Sequence, residues 1–139
     1  MSEPLQETIE VPKLVAELPR LVSKHEGAII TADPHRNAEA IVVEFPFKDP
    51  KARVTIRVLF NDHSGSDIVI TNITTLPNEE VGKGLGKTAI NYVLEWAREI
   101  GANEVRAVQV QPHVVPFWTK CSFVQDKNAT STKDFIFKL

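Results

Sequence analysis

The run Val81-Gly82-Lys83-Gly84-Leu85-Gly86-Lys87-Thr88 decides how the rest of this 139-residue chain is read, because it nearly matches three phosphate-binding patterns at once. A nucleotide-hydrolysing P-loop has the form GxxxxGK[ST]. With Gly86-Lys87-Thr88 as its end, the first glycine is required at position 81, where Val81 stands. A dinucleotide fingerprint GxGxxG begins well at Gly82-Lys83-Gly84, but its last glycine comes one place early, at Gly86, and no βαβ pattern surrounds it. The third pattern, [QR]xxGxG or [QR]xxGxA at the start of a helix, fits Val81 to Gly86 in everything but its first residue. All three rest on the same physics: glycine lets the backbone approach an anion closely, and the free N–H groups and positive dipole end of the following helix point at one spot.

Periodicity on either side of the run supplies the context. After it, Leu85, Ala89, Val93, Trp96, Ala97 and Ile100 form one helical stripe closed by Gly101. Before it, three strand candidates follow one another: Ala40 to Phe47, Ala52 to Phe60 and Asp67 to Thr75, separated by turns at Lys48-Asp49-Pro50 and Asn61 to Ser66. These predict an antiparallel meander. Nearer the start, Val11 to Lys24 has apolar residues at helical spacing, with Pro12 suited to a first turn and Pro19 predicting a kink or a break into two short helices. Residues Met1 to Glu10 read as loosely ordered. Beyond the long helix, Glu104 to Val110 reads as a buried strand and Val114 to Cys121 as a short amphipathic segment. Two last strands, Ser122 to Gln125 and Asp134 to Lys138, are joined by a polar turn. The order predicts one mixed α/β domain over residues 1–139, a central sheet covered by helices.

Composition excludes several functions. The chain is 42% hydrophobic and 24% charged, suited to a single globular core, and its net charge of -2 gives no general attraction to nucleic acid or an anionic membrane. No apolar run approaches the ~20 residues of a membrane span. The single cysteine, Cys121, allows no intrachain disulfide, and the opening MSEPLQETIE has no apolar signal-peptide core, so the expected compartment is the reducing cytosol. No spacing of His, Cys or carboxylates resembles a metal site.

From Ile70 to Val124, element by element, the sequence resembles the core of the GNAT superfamily of acyl-CoA-dependent N-acyltransferases. Val81 to Gly86 stands where that family has [QR]xxGxG. EWAREIGANEV, residues 95–105, is similar to its helix-to-strand passage, and Phe117-Trp118-Thr119-Lys120-Cys121-Ser122-Phe123 looks like its FYxxxGF segment. The resemblance implies a GNAT-like fold and acetyl-CoA as cosubstrate, with the pyrophosphate on the amides of the loop. Cofactor contacts are then expected at Leu76, Val81, Gly82, Lys83, Gly84, Leu85, Gly86, Lys87, Thr88 and Trp118. It further implies that Asp67–Thr75 and Glu104–Val110 splay apart to hold the pantetheine arm, and that the amide of Leu76 or a near neighbour polarises the thioester carbonyl. The implied partner is an amine acceptor, small molecule or protein, and a homodimer is left open. A non-catalytic acyl-CoA-binding or interaction module on the same scaffold is the alternative.

Three residues depart from the family pattern. Val81 removes one polar side chain, Ser122 replaces a common glycine, and Trp118 stands where the family has a tyrosine that protonates the leaving thiolate; an indole N–H does not titrate usefully. A thiol pKa of only ~8.5 makes thiolate a fair leaving group without that acid. Among side chains, His113 is the candidate acid or base. Glu79 and Glu80 are candidates for holding a cationic amine, Asn72 and Thr74 for facing the acceptor, and Cys121 reads as a small buried hydrophobe.

Overall fold

The computed structural model describes residues 9–32, 40–63, 66–127 and 133–139. The chain begins with two short helices, α1 (Val11–Ala16) and α2 (Leu18–Val22). They are separated at Glu17, with Pro12 and Pro19 each in a first turn, where a missing N–H costs nothing. The break has a use: the Glu17 carbonyl accepts a 2.9 Å hydrogen bond from Nε1 of the fully buried Trp96. This bond ties the helix pair to the long helix α3 (Leu85–Glu99).

Strands β1 (Ile29–Ala32), β2 (Ala40–Phe47), β3 (Ala52–His63) and β4 (Ser66–Leu76) pair antiparallel in sequence order. The meander therefore has four strands, one more than predicted, because the short edge strand β1 is half exposed and carries no alternation for a pattern to catch. Beyond β4 the sheet continues with β5 (Glu104–Ala107), then β7 (Phe135–Lys138), then β6 (Val124–Gln125), giving the order β1-β2-β3-β4-β5-β7-β6. Among the described strands only β4 and β5 run parallel, joined through α3. The predicted strands Glu104–Val110 and Ser122–Gln125 are shorter in the structure because Gln109 and Ser122 adopt left-handed φ of 53° and 69°. At Ser122 this accounts for the glycine common in the resembled segment, since the backbone there needs positive φ. Most of the predicted turn between β6 and β7 lies outside the described residues.

One face of the sheet carries the core. Ile41, Val43 and Phe45 of β2, Val54, Ile56 and Val58 of β3, and Ile68 and Ile70 of β4 pack with Leu14, Leu21 and the stripe Ala89, Ile90, Val93, Trp96 and Ala97. A smaller cluster of Ala40, Leu59 and Val69 lies on the opposite face, as strand alternation requires. There the buried Arg106 binds Ser66 Oγ and three carboxylates, Glu104, Asp126 and Asp134, at 2.8 to 3.3 Å, joining β5 to the last hairpin. Burial pulls its pKa down, but the partnered carboxylates outweigh that and leave it raised. Asp67, also buried, accepts the amides of Ile9 at 2.8 Å and Asn103 at 3.0 Å. No helix among the described residues is long and apolar enough to cross a membrane.

Candidate active site

The parallel pairing of β4 and β5 covers only Ile68 to Ile70 against Val105 to Ala107, and its last bond runs from the Val108 amide to the Ile70 carbonyl, at 3.2 Å. Immediately beyond, both strands change course. On β4 an extra residue, Thr71, sits between Ile70, opposite Val58, and Asn72, opposite Arg57. This bulge bends the strand and shifts its phase, so that Ile73 and Thr75 continue the inner face while Asn72 and Thr74 turn to the outer one. On β5 the left-handed Gln109 diverts the chain, and the Val110 amide bonds to Lys133 O at 2.8 Å instead of to β4. Beyond this point the two strands no longer pair with each other.

Between them opens a cleft of about 810 Å³, within the range of small-molecule sites. Its far end is the glycine loop. Gly82 and Gly84 have φ of 90° and 86°, and a Cβ on either would meet no atom within 4 Å; they are required by conformation, and the space above them is free. Gly84 caps α3 without a side chain, so the first-turn amides of Leu85, Gly86 and Lys87 have no partner within the helix. Gly86 differs: a Cβ there would lie 3.0 Å from Cε1 of Phe117, so this glycine serves the contact of α3 with α4 (Val115–Lys120). An amide cradle open to solvent at a helix N-terminus fits a pyrophosphate.

The cleft brings together most of the residues singled out in the sequence. Val81, Gly82, Gly84, Gly86, Lys87, His113 and Trp118 all line it. Trp118 is nevertheless only 4% exposed, held edge-on between Phe117 and Phe123 with ring centroids 5.1 and 4.9 Å away. Other anticipated residues lie outside the lining. Leu76, 38% exposed at the end of β4, pairs with Arg53; Leu85 packs against the core; Thr88 Oγ1 bonds back to Gly84 O. Lys83 is 3.2 Å from Glu80, whose buried Oε2 lies within ion-pair reach but makes no hydrogen bond. Neither Glu79 nor Glu80 reaches the cleft, and of the pair Asn72 and Thr74 only Asn72 does.

Thr71, Gln109, Gln111, Phe117 and Lys120 also line the cleft, and sequence reasoning missed them. A bulge and a left-handed glutamine leave no local mark in a β-branched run, whereas Lys120 lies within the quoted FWTKCSF segment. Cys121, beside it, is buried; burial pushes its thiol up to about 11 against the opposing pull of Lys87, which places that lysine near the end of α4. Among the described residues no group of three or more His, Cys, Asp or Glu is placed to hold a metal ion.

This architecture recurs in solved structures. An acetyltransferase from Bacillus subtilis in complex with CoA superposes with a TM-score of 0.53 at 17% identity, covering 99% of this chain and 97% of its own. A domain from Methanocaldococcus jannaschii gives 0.58 at 15%, covering 96% of each. An acetyltransferase from Thermus thermophilus gives 0.55 at 16% over 72% of this chain, which spans 63% of that longer one. At such identities the likeness is one of fold. No curated protein matches the chain in sequence. The sequence model of the acetyltransferase (GNAT) family, however, matches residues 22–123, and with the forked strands and glycine cradle now described, the chain belongs to that family.

Proposed function

We propose that the protein is an N-acetyltransferase moving the acetyl group of acetyl-CoA to a primary amine by direct attack. The observation that carries this reading is the continuity of the β4–β5 fork with the glycine cradle, which offers backbone hydrogen bonds for an extended arm and free amides for its phosphates in one cleft. When bound, acetyl-CoA supplies the activated thioester: the amine forms the new C–N bond, the C–S bond breaks, and coenzyme A leaves with that electron pair as the thiolate, which solvent protonates. In this reading Gly82, Gly84, Gly86 and the first turn of α3 receive the pyrophosphate, with Lys87 and Lys120 adding positive charge. Cleft-lining amides of β4 upstream of Leu76 take the carbonyl-polarising role, because Leu76 itself lies outside the lining. His113 lines the cleft and, in this reading, takes the role of the base that accepts the proton the amine loses. Trp118 closes the wall and supplies no proton.

The burial of Trp118 among aromatic rings also favours a second reading, an acyl-CoA-binding module without turnover. One experiment separates the two. Under acetyl transfer, acetyl-CoA raises the melting temperature well above ATP or NAD at equal concentration, and thiol release with amines rises with pH as more amine is neutral. A larger shift with ATP removes both readings, and stabilisation by acetyl-CoA without thiol release from any amine leaves only the second.

A further inference from the structure

The two ends of the cleft differ in chemistry. The loop end carries Lys87 and Lys120 beside the amide cradle, matched to an anionic coenzyme. The fork end is walled by Thr71, Asn72, Gln109 and Gln111 around the apolar Ile70 and Val108. Those polar groups are hydroxyl and carboxamide: they donate and accept hydrogen bonds but bring no counter-charge. Asn72 Nδ2 reaches Thr74 Oγ1 at 3.4 Å, and Arg57 Nη1 donates to Thr71 Oγ1 at 3.3 Å, so a guanidinium stands immediately behind this wall. Among the described residues lining the cleft there is no Asp or Glu, and the nearby Glu80 is turned to Lys83.

We propose that the acceptor is an amine with no second positive charge, received at the fork end by the neutral polar groups of Thr71, Asn72, Gln109 and Gln111. The inference rests on the acetyl-transfer reading and narrows it to one class of substrate. A reacting amine must be neutral to attack, so it needs hydrogen-bond acceptors, which the carboxamide oxygens provide. A second ammonium on the same molecule would leave water and meet no carboxylate among the described residues that line the cleft, which is unfavourable in any partly enclosed site. Polyamines and lysine-rich peptides are thereby disfavoured, whereas monoamines with neutral or anionic remainders are admitted.

The test uses the full chain with acetyl-CoA, following thiol release at matched concentrations of neutral amine. Glycinamide and benzylamine are compared with spermidine and an oligolysine peptide. The expected result is a kcat/KM roughly tenfold or more higher for the better monoamine than for either polycation. Asn72→Asp and Gln111→Glu, each adding a carboxylate at the fork, should narrow that ratio by about tenfold while the melting shift with coenzyme A is unchanged. Equal or better turnover of spermidine or oligolysine by the native chain overturns the inference and leaves acetyl transfer standing. So does an unchanged preference in both carboxylate variants with coenzyme binding intact. Thiol release from none of the four, with the coenzyme A shift present, removes the transfer reading and this inference with it.

Discussion

The two walls of the cleft are built by different means. At the β4–β5 fork the shape is made by backbone: an extra residue at Thr71, a left-handed Gln109, and the amide of Val110 drawn off to Lys133. At the α3–α4 wall it is made by side-chain volume: Phe117 lies over Gly86, and Trp118 is wedged between Phe117 and Phe123. The difference teaches where substitutions act. Changes of size should be costly at the helical wall and nearly silent at the fork, whereas changes of backbone preference should do the reverse.

The strongest attempt to break this contrast is Trp118→Ala. Removing a buried indole should destabilise the fold by about 3–5 kcal/mol, read from denaturant unfolding. A loss below about 1 kcal/mol would mean the helical wall is not held by volume. Next is Gly86→Ala. Its methyl meets the Phe117 ring, so a cost of about 1–3 kcal/mol is expected, with a matching fall in coenzyme A affinity. Phe117→Leu in the same chain should recover most of that loss, a coupling that a double-mutant cycle measures. Gly84→Ala has open space around it and should cost only the left-handed penalty, about 1–2 kcal/mol, with no rescue by Phe117→Leu. The smallest effect sharpens the other half of the comparison. Gln109→Gly keeps the positive φ that the turn requires, so stability should stay within about 1 kcal/mol of native and coenzyme affinity should hold, while Gln109→Val should weaken both.

The same contrast explains what the sequence discloses. The helical wall was legible because volume and periodicity are properties of residue types: the stripe from Leu85 to Ile100, the FWTKCSF segment and the glycines all mark themselves. The meander was legible from alternation, apart from β1, whose exposed edge needs none. The fork was anticipated only through family resemblance. In Ile68-Val69-Ile70-Thr71-Asn72-Ile73-Thr74-Thr75 every position but Asn72 is β-branched, and that one residue does not by itself show that the phase slips at Thr71. Glu79 and Glu80, candidates for holding a cationic amine by sequence, lie outside the cleft lining, and the short 3-10 turn Asn78–Glu80 sets Glu80 3.2 Å from Lys83.

Cys121 makes the α4 wall a reporter of its own opening. It is the chain's one cysteine, its sulfur is buried, and the thiol is held up at about 11 from an ordinary value of 9.0. Because the thiolate is the reactive form, two pKa units mean that at pH 8 iodoacetamide should modify the folded chain roughly 100-fold more slowly than a free thiol. The sign extends to stability: a thiol raised in the folded state leaves folding unaffected below pH 9 and weakens it as the pH climbs from 9 toward 11, where the unfolded chain ionises first. Alkylation rate is thus a clock for the opening of α4, and a cysteine introduced on the surface for a fluorophore would react alone, with the native sulfur silent until the wall beside Lys87 comes apart.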